Sequence, residues 1–372
     1  MTSLFVFGTL RHVPLLARVL GRPEDGIDAV PATCADHRAM TAEGEEFPIL
    51  LPAAGEVAPG LLLPNLSEND VARIDHYEGV YGYALEPVRV GTEAGPADAQ
   101  VYRPTDSLWQ PGDPWDFETW RARWGEITTL AADEAMASFR TDQPGAPRFA
   151  RMARAWSQLL ARQGAPRDLR ARLGMEAVDG PRWMPGFEGF FRLRRFALSH
   201  RTFSGGESPR VEREGFAAFD AALVLPYDPE RDSLLVIEQL RYGPILRGDP
   251  FPWVLEPVAG LVDPGEDPVD TARREAVEEA HLHLGRLEKM LGVYASPGYS
   301  SEFFHCFLGI ADLSGQDGTL GGAEEENEDI RSHVITFDRA MELIATGEIN
   351  AGPLAMMIYW LGMNRDRLRA LS

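Results

Sequence analysis

Residues 260–282, GLVDPGEDPVDTARREAVEEAHL, leave the chain little freedom. Gly and Pro open the stretch as a turn, and Pro268 suits the first turn of the helix that follows. That helix sets Glu275, Glu278 and Glu279 at i, i+3 and i+4, so three carboxylates share one face. Two such groups about 6 Å apart repel by roughly 3 kcal/mol at an effective dielectric of about 20. Water screens much of that on an open surface, and a solvated acidic face is the plainer reading of EAVEE taken alone. If the helix packs against a core, a counter-charge is needed. Hard oxygen donors on one face suit a divalent cation such as Mg²⁺, which keeps several waters and takes further oxygens from substrate phosphates.

Composition narrows the partners. At 372 residues the chain is too long for one ordinary core, so more than one domain is expected. A formal net charge of −21 repels nucleic acid and anionic membranes. Lys289 is the only lysine, which excludes a phosphate-binding loop built on a Gly-Lys pair. Cys34 and Cys306 stand far apart without metal-type spacing, so neither a disulfide framework nor a zinc site is expected, and a reducing cytoplasm fits. No apolar run is long enough to span a bilayer, and MTSLFVFGTLRHVP lacks the basic start and cleavage site of a secretory signal. The expectation is a cytoplasmic protein with no membrane or nucleic-acid partner.

Three segments follow from the texture of the chain. Residues 1–105 read as short strands between turns (SLFVFGTL, PGLLLPNL, LEPVRV, AQVYRP), with one helix in SENDVARIDHYEG capped by Ser67. TDSLWQPGDPWD reads as a linker, and two stretches of helical spacing then make residues 106–185 a helical connector ended by VDGPRWMPG. Residues 186–372 mix strands such as AALVLPYDP and DSLLVIEQL with three helices, without a regular βαβ rhythm. The fold class is therefore α+β.

Gly260, Glu266 and then REAVEE from Arg274 stand at the spacings of the Nudix box, Gly-x5-Glu-x7-Arg-Glu-U-x-Glu-Glu-x-Gly-U. The single departure is His281, where that pattern has glycine at a left-handed helix end. ASPGYSSE, PWVLEPVAG, VIEQLRYG and EEENEDIRSHV resemble the ADP-ribose pyrophosphatase branch of the Nudix hydrolases, and the two-part chain resembles its tellurite-resistance-associated type. The resemblance implies a C-terminal α/β/α sandwich and a homodimer. It implies Glu275, Glu279 and the carbonyl of Ala259 as ligands of Mg²⁺, or of Mn²⁺, with Glu278 assisting. Gly260, Glu266 and Arg274 would shape the loop. Glu326 would be the base that activates water, with Glu328 beside it as ligand or alternate base. Arg201, Arg241 and Glu302 would contact diphosphate and ribose. The implied reaction is hydrolysis of ADP-ribose to AMP and ribose 5-phosphate. Two alternatives stand beside it: hydrolysis of another nucleoside diphosphate sugar, and a nucleotide sensor without turnover.

FVFGTLRH and IDHYEGVYGY resemble the γ-glutamylcyclotransferase-like fold, a mixed β-barrel. By that resemblance Gly8, Thr9 and Leu10 form the loop that holds a γ-glutamyl group, and Glu78 is the general acid/base. Phe7 replaces a usual tyrosine, and the arginine often found after the aromatic pair is missing at Ala84 and Leu85. A docking module without catalysis is the alternative for this domain.

Overall fold

The computed structural model describes residues 2–79, 82–104, 109–141, 145–163, 169–170, 173–323 and 328–370. The chain divides into two compact units, one of residues 1–165 with 188–190 and the other of residues 166–187 with 191–372.

The first unit is a barrel with helices. β1 (Thr2–Val6), β2 (Val30–Ala42), β3 (Pro48–Leu66), β4 (Tyr83–Thr92) and β5 (Gly95–Pro104) run in the order β3-β1-β5-β4-β2, and a further β3–β2 pairing closes the ring. α1 (Val13–Leu20) and α2 (Glu68–Glu78) complete this part. Closure forces tight crossings: a Cβ on Gly60 would overlap the Phe5 ring and the Val6 carbonyl. β2 bends at a register shift between Ala35 and His37, where Asp36 adopts φ 56° and its Oδ1 accepts from the Gly55 N–H at 2.8 Å. Inside lie Phe5, Phe7, Leu50, Leu62 and Val101. α2 starts with a capping box, in which Ser67 Oγ accepts from Asp70 N and Asp70 Oδ2 accepts from Ser67 N.

The linker reading of TDSLWQPGDPWD needs correction: β6 (Pro111–Pro114) pairs antiparallel with β2. β2 is long enough to offer an unpaired edge, and an edge strand tolerates proline. α3 (Phe117–Ala137), capped by Asp116, and α4 (Arg148–Gln163) then pack on each other through Ile127, Ala131, Met152 and Ala155.

The second unit opens with a three-stranded antiparallel sheet of β7 (Val178–Glu188), β8 (Arg192–His200) and β9 (Val211–Ala217). VDGPRWMPG thus belongs to a strand and does not end a connector. Its larger sheet contains β10 (Asp220–Asp228), β11 (Ser233–Leu240), β12 (Trp253–Glu256), β13 (Val258–Leu261), β14 (Leu287–Tyr294), β15 (Phe303–Ile310), β16 (Leu320–Gly321) and β17 (Ile330–Thr336). The spine runs β14-β15-β10-β11-β17-β16, with β12 on β11 and β13 on β10. β10 is buried at all nine positions, because helices cover both sheet faces, and so it reads as an apolar run without alternation. One face packs Leu225, Leu234, Val236 and Leu308 against α7 (Phe337–Thr346) and α8 (Gly352–Arg369). The other face meets α6 (Pro268–Ala280), and a short α5 (Tyr242–Arg247) follows β11. The architecture is a helix–sheet–helix sandwich of α+β class.

Candidate active site

Local sequence explains why α6 stands where it does. Asp267 caps its start, accepting from Val269 N at 2.9 Å, and Pro268 needs no N–H in the first turn. The helix ends on His281 at φ 52°, a conformation glycine would adopt without strain. The histidine compensates: its Nε2–H donates to the Leu320 carbonyl at 3.0 Å and ties the helix end to β16. Gly322 N–H donates to the Glu278 carbonyl, and a Cβ on Gly321 would overlap the Glu279 carbonyl. The C-terminal turn of α6 is therefore clasped by backbone.

Two of the three glutamates of α6 turn inward, while Glu278 stays exposed. Glu279 is only 2% exposed, and its Oε2 accepts from Ala259 N–H at 2.9 Å. Glu275 is 9% exposed and lies against Gly260, where a Cβ would overlap its carboxylate. Arg274 is the organiser. It donates to Glu275 at 2.6 Å, to Glu278 at 3.0 Å, to both oxygens of Glu266 at 3.3 and 3.2 Å, and to the Leu261 carbonyl at 3.2 Å. Thr271 Oγ also donates to Glu266 at 2.6 Å.

Burial decides the electrostatics. It pushes Glu275 up to about 7, against the pull of Arg274, with Glu278 and Glu328 adding to the rise. Burial raises Glu279 well above the carboxylate range too; the Ala259 N–H opposes this, and Glu275 and Glu328 reinforce it. Glu266 behaves differently. Burial alone would raise it, but the bonds from Arg274 and Thr271 hold it below its ordinary value. Two coupled carboxyls thus lack sufficient positive charge, while Glu266 is satisfied by the arginine.

Among the described residues, no three His, Cys, Asp or Glu side chains form a ready-made metal cage. The donor chemistry nevertheless fits a hard divalent cation. Glu275 and Glu279 would supply two buried carboxylates, and the Ala259 carbonyl would be a third oxygen donor. A cation there would displace the protons that burial otherwise retains.

Glu328 stands shortly before β17: its Oε2 accepts from Ala323 N–H at 3.2 Å, and its charge reaches Glu275 and Glu279. Glu326 lies outside the described residues. Arg241 follows β11 with its Nε donating to Glu256 at 2.6 Å, and its charge reaches Glu279 and Glu302. Burial raises Glu302, and Arg241 opposes that rise. The structure therefore links these residues in a chain: Glu275 to Glu278, Glu279 and Glu328, Glu279 to Arg241, and Arg241 to Glu302. Arg201 stands apart: it bridges to Glu207 after β8, and no interaction among the described residues joins it to this group. Glu256 escaped sequence reasoning. Its only signal was an acidic residue before Pro in PWVLEPVAG.

The first unit has a site of its own. A pocket with about 430 Å³ of open space, mouth included, is lined by Phe7, Gly8, Thr9, Leu10, Phe47 and Glu78, among others. Gly8 has no room for a side chain, since a Cβ would stand 2.8 Å from Pro48 Cγ. The backbone beyond it turns as a single 3₁₀ loop over Thr9–Arg11, which leaves its first N–H groups without intrahelical partners. Glu78, at the end of α2, is pushed up to about 8 by burial. Tyr102, which also lines the pocket, donates its hydroxyl to Asp75. A nearby Cys34–His37 contact at 3.3 Å is not a nucleophile–base pair. Arg103 can only donate to His37 Nε2, so Nδ1 carries the proton and gives it to the Ala35 carbonyl.

Residues 218–355 match the NUDIX domain family, and residues 4–122 match the family of gamma-glutamyl cyclotransferase, AIG2-like. An ADP-ribose pyrophosphatase of Haemophilus influenzae is 39% identical over 185 residues, covering 49% of this chain and 85% of that protein. This chain belongs to the ADP-ribose pyrophosphatase family of Nudix hydrolases. An ADP-ribose pyrophosphatase of Escherichia coli is 38% identical over 183 residues, covering 49% of this chain and 87% of that one. A GDP-mannose pyrophosphatase of Shigella flexneri is 32% identical over 177 residues, covering 48% of this chain and 91% of its own length. In this Nudix hydrolase the box and the strands around it fall inside the matched region, and a cyclotransferase-like barrel is joined to it. No helix of the described residues is long and apolar enough to cross a membrane.

Proposed function

We propose that the Nudix unit hydrolyses the diphosphate of ADP-ribose to AMP and ribose 5-phosphate. The observation that carries this is the pair of buried, under-compensated carboxyls Glu275 and Glu279, with Arg241 in electrostatic reach. Relatives named as ADP-ribose pyrophosphatases, 38–39% identical, support this substrate over a GDP-sugar.

Glu275, Glu279 and the Ala259 carbonyl would hold Mg²⁺, with Mn²⁺ the other candidate. A bound divalent cation polarises phosphoryl oxygens and neutralises the charge that develops on them. Arg274 anchors Glu266 and keeps Glu275 and Glu278 oriented. Arg241 orients the diphosphate, and Glu302 takes a ribose hydroxyl. Water attacks one phosphorus, giving its proton to Glu326, with Glu328 as the alternate base. A new P–O bond forms as the bond to the bridging oxygen breaks, and that oxygen leaves on the second product. Glu278 assists within the cluster; Arg201, which stands apart from it, is given no contact.

Purified protein with ADP-ribose, with and without Mg²⁺, tests this by product analysis. Turnover of GDP-mannose in preference to ADP-ribose would replace the substrate, and binding without turnover would make the unit a sensor.

A second reading concerns the first unit. Glu78, half-buried and proton-retaining, faces the Gly8–Leu10 loop across an aromatic pocket, which favours a γ-glutamyl cyclotransferase releasing 5-oxoproline. Assay of γ-glutamyl amines for 5-oxoproline decides between catalysis and docking. A cytoplasmic homodimer of the tellurite-resistance-associated type belongs to the same proposal. The division into a cyclotransferase-like domain (1–105), a helical connector (106–185) and a Nudix domain (186–372) keeps its two ends in this proposal, while β6 and β7 carry the connector's borders into the sheets of the two units.

A further inference from the structure

Gln239 is 6% exposed, and its Nε2 has no hydrogen-bond partner among the described residues. A buried amide donor left unpaired is uncommon and destabilising. Its direction follows from the strand. Leu234 and Val236 of β11 pack into the core shared with α7 and α8. Alternation therefore turns Leu235, Ile237 and Gln239 to the other face, toward α6. Arg241 continues that row: its N–H donates to the Pro252 carbonyl at 3.0 Å, so the ladder runs on past the strand's end. Glu256, paired in register with Ile237, shares the face and accepts from Arg241.

The neighbour on the other side is β17, where Ile237 lies opposite Ser332 and Glu238 opposite Arg331. One further step sets Gln239 beside Ile330, two residues after Glu328. The amide thus follows Arg241's row on its own strand and lies beside the start of β17 on the next. Ser332, fully buried one row deeper, also has a hydroxyl without a partner among the described residues. Two orphaned polar groups thus share the sheet face that α6 covers, in the row that Arg241 continues.

We infer that Gln239 contacts substrate, its side-chain N–H donating to an oxygen of the diphosphate beside Arg241. A neutral amide is the suitable donor at this depth. A second buried cation would need its own counter-charge, whereas an amide adds a directed bond with no net charge. Bonds from a neutral donor to an anionic oxygen are among the stronger ones. The unpaired donor in the free protein is then a group held ready for a ligand.

This inference rests on the diphosphate reading of the site, so the test separates the two. Gln239→Met keeps the volume and removes the donor, and Gln239→Glu keeps the shape but offers only acceptors. Calorimetry would follow inorganic pyrophosphate binding in Mg²⁺, alongside thermal melts without ligand and ADP-ribose turnover by the wild type. We expect Gln239→Met to bind pyrophosphate about ten- to a hundredfold more weakly while melting at the same or a higher temperature, because an unsatisfied buried group has been removed. Gln239→Glu should bind more weakly still. Pyrophosphate affinity equal to wild type in Gln239→Met overturns the inference, and undiminished affinity in Gln239→Glu overturns the donor assignment. If the wild type binds pyrophosphate but leaves ADP-ribose intact, the proposed substrate fails while the Gln239 contact is judged on binding alone.

Discussion

Glu279 illustrates how one residue can be costly to folding and necessary to chemistry. Its burial raises its pKa in the folded chain, so the native state holds a proton that the unfolded state releases. Stability then falls as pH rises above the ordinary carboxylate range, because the unfolded state binds fewer protons there. Glu279→Gln removes that penalty. Without metal, the variant should melt at a higher temperature than wild type near pH 8, by calorimetry. In Mg²⁺ its kcat for ADP-ribose should drop by about a thousandfold, since a lost ligand forfeits several kcal/mol of transition-state stabilisation. Retained turnover would remove Glu279 from the metal site. Glu78 follows the same sign in the other unit. Its folded value of about 8 against an ordinary 4.5 makes wild type progressively less stable between those two values. Glu78→Gln should flatten that dependence, so the difference in melting temperature grows from about pH 5 to about pH 9. A constant offset would show that Glu78 ionises normally.

At the scale of elements, α6 was legible because its signals are local. Asp267, Pro268 and the i, i+3, i+4 glutamates all lie within one helix and its cap. The strands carried less information. PGDP and VDGPRWMPG look like breaks, yet they pair on sheet edges, because pairing is decided by the partner strand and not by Gly and Pro content. Likewise β3 runs for 19 residues through four prolines and two glycines, held by β1 on one side and β2 on the other. Site residues divide the same way. The glutamate spacing can be read along one helix, whereas Glu256 meets Arg241 only through the register of β11 with β12, which no local pattern encodes. The joint between α6 and the loop before it can be tested. Arg274 is the side chain that binds Glu266, Glu275, Glu278 and the Leu261 carbonyl together. Arg274→Met leaves those carboxylates facing one another and should destabilise the unit by about 2–4 kcal/mol. Mg²⁺ should recover part of the loss by neutralising the same cluster. A denaturant titration with no loss, or no recovery in Mg²⁺, would show that the arginine is not the joint.

For the whole molecule, charge and exposed apolar surface pull in opposite directions. The chain carries a formal −21, so two copies repel at long range. Yet Trp183, Phe187 and Phe203 on and beside the β7–β8–β9 sheet are 59%, 66% and 92% exposed, large apolar groups that a solitary chain would leave in water. If two copies meet through this sheet, burial of the aromatics supplies the attraction, and the net charge sets its salt dependence. The Debye length shrinks from about 30 Å at 0.01 M salt to about 10 Å at 0.1 M, so the repulsion is screened first. Dimerisation should therefore tighten with added salt, opposite to an interface held by ion pairs. Light scattering after size exclusion should show a dimer whose dissociation constant falls as NaCl rises, and Phe203→Glu combined with Trp183→Glu should yield a monomer. A wild type that stays monomeric at all salt and protein concentrations would remove the dimer from the proposal. A dimer that weakens with salt would transfer it to a polar surface elsewhere.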